Sequence, residues 1–303
     1  MLFSKAFAAL AALATATQAV HLGFNYDANV DFATEFKRAK NLAGTNHGFT
    51  SARLYTMIAP GTTNTPIGAI QAAIDTQTTL LLGMWASAGQ AQFDNEVAAL
   101  KNAINQYGSA FTSLIAGISV GSEDLYRISA TGIANDSGAG AGPAQIVAYI
   151  KQVRAAIKGT SAASAKVGHV DTADVWTNST NKAVINNVDW LGMDEYPYYE
   201  TTKQNSIGNA NASFYDAFDR TKAVAQGKHV WVTETGWPVT GAQSGQAVAS
   251  KANAETYWQE VGCSLFGNVN TWWYIMQDPG ANPNFGVLPP NNLHARVRYN
   301  LAC

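Results

Sequence analysis

Charged side chains are scarce in this chain: Asp, Glu, Lys and Arg make up 13% of it, and the net charge is −2. A chain so nearly neutral exerts no long-range pull on nucleic acid or on an anionic lipid surface, so neither is expected as a partner and an uncharged ligand is. Cysteine is scarcer still, with Cys263 and Cys303 the only two. Two are too few for a structural zinc site, and His21, His47, His169, His229 and His294 show no ligand spacing, so no metal is expected. The first strand-like segment is followed by Asn25-Tyr26-Asp27 rather than a glycine-rich phosphate loop, and no GxxxxGK followed by Ser or Thr occurs, so no nucleotide fingerprint is present. No low-complexity linker divides the chain; the Gly/Ala-rich NDSGAGAG of residues 135–142 reads as a loop. Beyond the N-terminal segment no stretch is long and apolar enough for a membrane helix, and RVRYNLAC at the C-terminus lacks the hydrophobic tail of a lipid-anchor signal.

Residues 1–20, MLFSKAFAALAALATATQAV, place Lys5 ahead of an Ala/Leu-rich stretch and then small residues suited to cleavage. The segment reads as a secretory signal peptide over residues 1–19, cut after Ala19 or alternatively Ala16; a buried N-terminal helix is the competing reading. Residues 20–303 then form one secreted, extracellular domain, expected to act as a monomer. An oxidising export route favours a Cys263–Cys303 disulfide, whose loop of about forty residues is worth roughly 4 kcal/mol on the chain-entropy estimate. Asn135, Asn178 and Asn211 each open an Asn-x-Ser/Thr acceptor pattern, which suggests exposed loops. Hydrophobic residues reach 47% and aromatics 11%, with 8 Trp and 12 Tyr. Most of these rings belong to a core, and the rest supply the flat faces and hydrogen-bonding edges that suit a sugar.

Short apolar strands alternate with helix-like segments along the whole domain. The strands are HLGFNY from His21, ARLYT from Ala52, TLLLGMWA from Thr79, LIAGISVGSE from Leu114, AKVGHVDT from Ala165, DWLGMDEYP from Asp189, HVWVTETGWP from His229 and VNTWWYIM from Val269. Among the helices, DFATEFKRAKNLAG is expected to stop at Gly44 and QAQFDNEVAALKNAINQYG at Gly108, while Pro143 opens PAQIVAYIKQVRAAIKG. Eight strands with helical crossovers fit a closed (β/α)8 TIM barrel better than an open doubly wound sheet, with the last helix short or missing.

In such a barrel the strand C-termini surround the active site. Glu123 ends the fourth strand in ISVGSE and Glu234 ends the seventh in HVWVTE, so both carboxylates project over one mouth. Such a pair can cleave a glycosidic bond: one carboxyl protonates the leaving oxygen, and the other, ionised, attacks or stabilises the sugar carbon.

WVTETGWP with VGSE upstream, together with HLGFNY, ARLYT, DEYPYY and FGVL, resembles the fungal branch of glycoside hydrolase family seventeen, the β-1,3-glucanases and β-1,3-glucanosyltransferases of cell walls. The resemblance covers essentially all of residues 20–303. It implies a retaining (β/α)8 enzyme with Glu123 as proton donor and Glu234 as nucleophile, acting on β-1,3-glucan polysaccharide without metal or organic cofactor. It also implies that Tyr196 orients the nucleophile. Many members of the wider clan carry Asn directly before the acid/base, where this chain has Ser122, whose hydroxyl can still donate to a sugar 2-OH.

Alternatives stand beside these assignments. Glu234 could be a structural acid paired with a buried Arg such as Arg53. Asp124 could claim the acid/base role, but it begins DLYR and reads more naturally as a helix cap. Asp194 and Glu195 read as supporting or tyrosine-holding groups. Tyr55, Trp85, Tyr196, Tyr198, Trp237 and Trp273 fall at or beyond strand ends, where a ring can stack on a pyranose or a phenol can bond a carboxylate. Trp231 and Trp272 fall at the opposite parity to Glu234 and Trp273 and are expected to pack under helices. Water or a second glucan would resolve the glucosyl-enzyme ester, and a non-catalytic β-glucan-binding wall protein is the rival from another class. Repulsion by Glu234 should make Glu123 the later of the two to lose its proton.

Overall fold

A computed structural model describes residues 20–303, so the expected signal peptide lies outside the described residues. Eight strands, β1 (Leu22–Asn25), β2 (Ser51–Arg53), β3 (Thr79–Met84), β4 (Ile115–Ser122), β5 (Val167–Thr172), β6 (Trp190–Asp194), β7 (His229–Glu234) and β8 (Thr271–Trp273), close in chain order into one parallel barrel. Closure is direct, because Leu22 and Phe24 of β1 pair with Thr271 and Trp273 of β8. Each strand read from the sequence is present, since a strand buried on both faces appears as an apolar run bounded by turn residues.

Helices α1 (Phe32–Lys40), α2 (Ala69–Thr76), α3 (Gln90–Thr112), α4 (Asp124–Arg127), α5 (Ala130–Ala134), α6 (Pro143–Ile157), α7 (Ala173–Thr177), α8 (Lys182–Ile185), α9 (Ile207–Val224), α10 (Lys251–Tyr257) and α11 (Cys263–Leu265) make the outer layer. One boundary differs from expectation: the first helix ends at Lys40 with Asn41 as its cap, ahead of Gly44. Gly108 breaks α3 as expected, leaving helical geometry at φ 53°, ψ −137°, and a further short helical stretch beyond it carries the buried Phe111. Among the described residues no helix follows β8. The tail instead packs back on the barrel, with Trp258 Nε1 donating to Leu301 O at 3.1 Å, and the expected Cys263–Cys303 disulfide ties it down across a Cα–Cα distance of 5.3 Å.

The barrel interior holds a second apolar cluster of Leu81, Ala116, Val170, Trp190, Trp231 and Trp272, all of them strand residues. Trp190 and Trp231 stack at 4.0 Å and Trp272 donates its indole N–H to Ser51 Oγ at 3.0 Å. This corrects the expectation that Trp231 and Trp272 pack under helices: they face inward and form the floor beneath the mouth. Such large rings fit because β4 and β5 carry glycine where the rings lie, at Gly117 and Gly168. A Cβ on Gly168 would lie 2.3 Å from the Trp190 ring, and one on Gly117 would lie 2.8 Å from the Trp231 ring.

A bulge breaks the alternation of side chains along β7. Between β6 and β7, Met193 pairs with Val232 and Asp194 with Glu234, so Thr233 is an extra residue on β7. An inserted residue flips the alternation beyond it, which lets Trp231 and Glu234, three apart, both face inward.

Candidate active site

At the mouth, Arg53 rises from β2 as a fully buried guanidinium. Its Nη1 donates to Glu234 Oε1 at 2.5 Å and to Asn25 Oδ1 at 2.8 Å, while Nη2 donates to Ser122 Oγ at 2.9 Å and lies 3.7 Å from Asp194 Oδ2. Tyr55 O–H donates to the same Oε1 and Tyr196 O–H to Oε2, each at 2.6 Å. Both Glu234 oxygens are thus held by donors. Burial raises the Tyr55 and Tyr196 phenols well above their usual range, and the Glu234 charge adds to it, so both remain donors. Burial alone would lower the Arg53 pKa, but the charges of Asp194 and Glu234 overcome it and keep the guanidinium charged. The Arg53–Glu234 pair foreseen as an alternative therefore exists, and it lies in the mouth of the barrel as part of the site. The Asn25 amide fixes the assembly to the backbone, donating to Thr233 O at 3.1 Å and Trp272 O at 3.0 Å.

Glu123 is mounted differently. It sits at φ 58°, ψ 22°, the left-handed residue that turns the chain from β4 into α4. Its side chain is 27% exposed, and the charged partner beside it is Arg127 at 3.6 Å. Burial, then the Glu234 charge, then that of Asp171 push its carboxyl up to about 7, against the opposing pull of Arg127 and Arg53. Asp124 faces away from the mouth, fully buried, and accepts from Ser87 Oγ at 2.5 Å and from the Ser122 N–H at 2.8 Å. It staples the turn rather than capping the helix start, where Glu123 itself stands.

The supporting pair divides. Asp194 accepts from Thr233 Oγ1 at 2.6 Å and faces Arg53, and burial and the Glu234 charge hold its carboxyl well above the usual range. The Glu195 carboxyl holds no tyrosine, contrary to expectation: its Oε1 is buried without a partner, and burial lifts the group to about 8.

The aromatic expectations also divide. Tyr55 and Tyr196 reach Glu234 as phenols, and Trp85 is half-buried at the end of β3 with the Arg127 guanidinium 5.8 Å over its ring. Tyr198, Trp237 and Trp273, expected to touch substrate, are buried at 1%, 1% and 0% exposure and offer no open face. Tyr198 donates to Ala242 O, and Trp237 donates to Val248 O at 3.0 Å. Trp273 packs outward, 4.9 Å from Trp258 and 5.7 Å from Tyr257. The bulge at Thr233 that reversed Trp231 and Trp272 accounts for Trp273 as well. Its neighbour Tyr274 was overlooked: half-buried, it meets the Tyr196 ring edge-on at 5.8 Å, and burial followed by the Glu234 charge raises its phenol. Of the acceptor patterns, Asn135 and Asn178 are exposed, whereas Asn211 lies inside α9 with its amide donated to Glu260 O at 3.0 Å.

A cleft of about 1120 Å³ opens on the Glu123 side, lined by Glu123, Tyr126, Thr172, Asp194, Tyr196 and Tyr199 among others. Among the described residues no group of three or more His, Cys, Asp and Glu is placed to hold a metal, and no helix is long and apolar enough to cross a membrane. The geometry combines a carboxylate fixed by three donors with a carboxyl that keeps its proton near neutrality. That is the equipment for attack at a carbon with protonation of its leaving oxygen.

Residues 25–286 match the family described as the BtgE/BtgC glycoside hydrolase domain. The chain is 54% identical over 305 residues to a protein of Aspergillus oryzae named "Probable glucan endo-1,3-beta-glucosidase eglC", covering 96% of this chain and 65% of that one. It therefore spans slightly less than two thirds of that relative's length. Its fold matches the crystal structure of a glycoside hydrolase family 17 beta-1,3-glucanosyltransferase from Rhizomucor miehei with a TM-score of 0.73 at 24% identity, over 93% of this chain and 98% of that chain. An active-site mutant of that transferase in complex with laminaritriose matches with a TM-score of 0.72 at 24% identity, over 93% and 98%.

Proposed function

Because the chain belongs to the BtgE/BtgC glycoside hydrolase family, we propose that it is a secreted, retaining enzyme that cleaves β-1,3-glucan in fungal cell-wall remodelling. The observation that carries this reading is the Glu234 carboxylate held by Arg53, Tyr55 and Tyr196 across the mouth from Glu123, whose carboxyl is pushed up to about 7. Glu123 donates its proton to the departing glycosidic oxygen as Glu234 attacks the anomeric carbon, which breaks the C–O bond and forms a glucosyl ester. Glu123, now ionised, takes a proton from the incoming water or sugar hydroxyl, which displaces Glu234 with a second inversion and net retention. Ser122 accepts from Arg53 with its hydroxyl oxygen and keeps its own hydrogen for the sugar. The relatives' names support a β-1,3-linked substrate, and the disulfide supports export to an oxidising compartment.

Product analysis on laminarin tests the reading. A hydrolase yields only shorter chains, and a transferase also yields longer ones. Intact laminarin would leave a glucan-binding protein without catalysis and overturn the proposal.

A further inference from the structure

His169 and Asp171 lie two apart on β5, fully buried, behind the turn that carries Glu123. His169 Nδ1 is 2.6 Å from Val120 O and Nε2 is 3.0 Å from Asp171 Oδ2. A carbonyl oxygen only accepts, so Nδ1 carries a hydrogen. Asp171 is already crowded with donors: Oδ2 accepts the Leu125 N–H at 3.0 Å, and Oδ1 accepts the N–H groups of Tyr126 at 3.2 Å and Thr172 at 3.0 Å. With three backbone donors already aimed at its two oxygens, the Asp171 carboxyl acts here as an acceptor, and Nε2 donates to it as well. The ring is then a buried imidazolium, with the Trp176 indole edge-on at 5.6 Å.

We infer that His169 is a positioning residue for the acid/base: its imidazolium anchors Asp171, which grips the backbone N–H groups of Leu125 and Tyr126, two and three residues after Glu123, and fixes the left-handed residue over the cleft. The inference rests on the reading of Glu123 as proton donor. Without its proton, His169 would turn an Nε2 lone pair toward the Asp171 oxygen, and the grip on Leu125 and Tyr126 would loosen. Burial lowers the ring's proton affinity, but the Asp171 bond and charge and the Asp124 charge outweigh it and raise the pKa. The contribution is therefore complete below the ordinary histidine value of about 6.5 and is lost as pH rises through the higher folded value. The titratable groups facing the ring are Asp171 on its own strand and Asp124 from α4. Those facing Glu123 are Glu234, Asp171, Arg127 and Arg53.

The test compares two substrates. In His169→Gln, kcat/KM on laminarin should fall about tenfold or more, while kcat/KM on a dinitrophenyl β-glucoside, whose leaving group needs no proton, should fall less than about threefold. Equal losses on both substrates, or no loss on laminarin, would overturn the inference. Glu123→Ala, run alongside, separates the premises: if it too spares laminarin, the reading of Glu123 falls and takes the inference with it. If it loses laminarin selectively while His169→Gln does not, the inference alone falls. Should His169→Gln fail to fold, ¹⁵N NMR of the histidine-labelled wild type at pH 6 decides. The His169 ring should be protonated on both nitrogens, and a neutral His169 ring would refute the inference.

Discussion

Glu234 and Glu123 share one mouth and are held in opposite ways. Glu234 is gripped by its carboxylate, with Arg53, Tyr55 and Tyr196 all within hydrogen-bonding distance and its side chain 11% exposed. Glu123 is gripped by its backbone, through the turn stapled by Asp124 and Asp171, while its side chain is 27% exposed beside Arg127. A group that attacks from one point and must remain ionised benefits from fixed donors, which hold the charge and aim the oxygen. A group that gives up a proton and later takes one back cannot be saturated with donors. Its position is set by the chain, and its proton affinity by burial and neighbouring charge.

Removing the clamped carboxylate should have the largest effect. Glu234→Gln keeps the shape but cannot form the ester, so turnover on laminarin should fall at least about 10⁴-fold with the fold retained by circular dichroism. Activity near wild type would end the assignment. Glu123→Ala should lose about 10²- to 10⁴-fold on laminarin yet release an activated phenol at close to the normal kcat/KM, with azide restoring turnover. If azide fails with Glu123→Ala while Asp124→Ala loses laminarin, keeps the activated substrate and is rescued by azide, the acid/base is Asp124. Tyr196→Phe removes one hydrogen bond to a charged oxygen, and kcat should drop roughly tenfold or more with little change in KM. A pure KM effect would make Tyr196 a substrate contact instead of a clamp.

The smallest effect sharpens the other half of the contrast. With the Glu123 carboxyl raised to about 7 and its proton required for the first step, kcat/KM should be complete below that value and fall as pH rises through it. Arg127 lowers that affinity, so Arg127→Gln should carry the alkaline limb upward, by less than about one pH unit because the pair is partly solvated. An unmoved limb would mean that Arg127 does not sense the proton on Glu123.

The strands and both glutamates were legible in the sequence because an apolar run ending in a carboxylate has few meanings in a barrel. Glu234 and Glu123 stood out for that reason, and the family resemblance assigned their order. What failed was face assignment. Thr233 adds one residue to β7 without altering its composition, so alternation counted from Glu234 put Trp273 in the cleft and Trp272 under the helices, the reverse of what is found. Tyr274, one position further, was lost to the same error. The role of His169 was hidden for a different reason: a polar residue inside AKVGHVDT shows no partner until β4 and α4 are folded against it.

The indole floor restricts how this chain can change over generations. Trp190 occupies the space above Gly168 and Trp231 the space above Gly117, so neither glycine can gain even a methyl group while its tryptophan remains. Each pair is therefore epistatic: a lineage that enlarges Gly168 or Gly117 has to shrink the facing ring first, passing through a cavity-bearing ancestor less stable by about 3–5 kcal/mol. Drift at these four positions should be slow and paired, whereas drift at the exposed Ile128, Ile133 and Val248 can proceed one residue at a time.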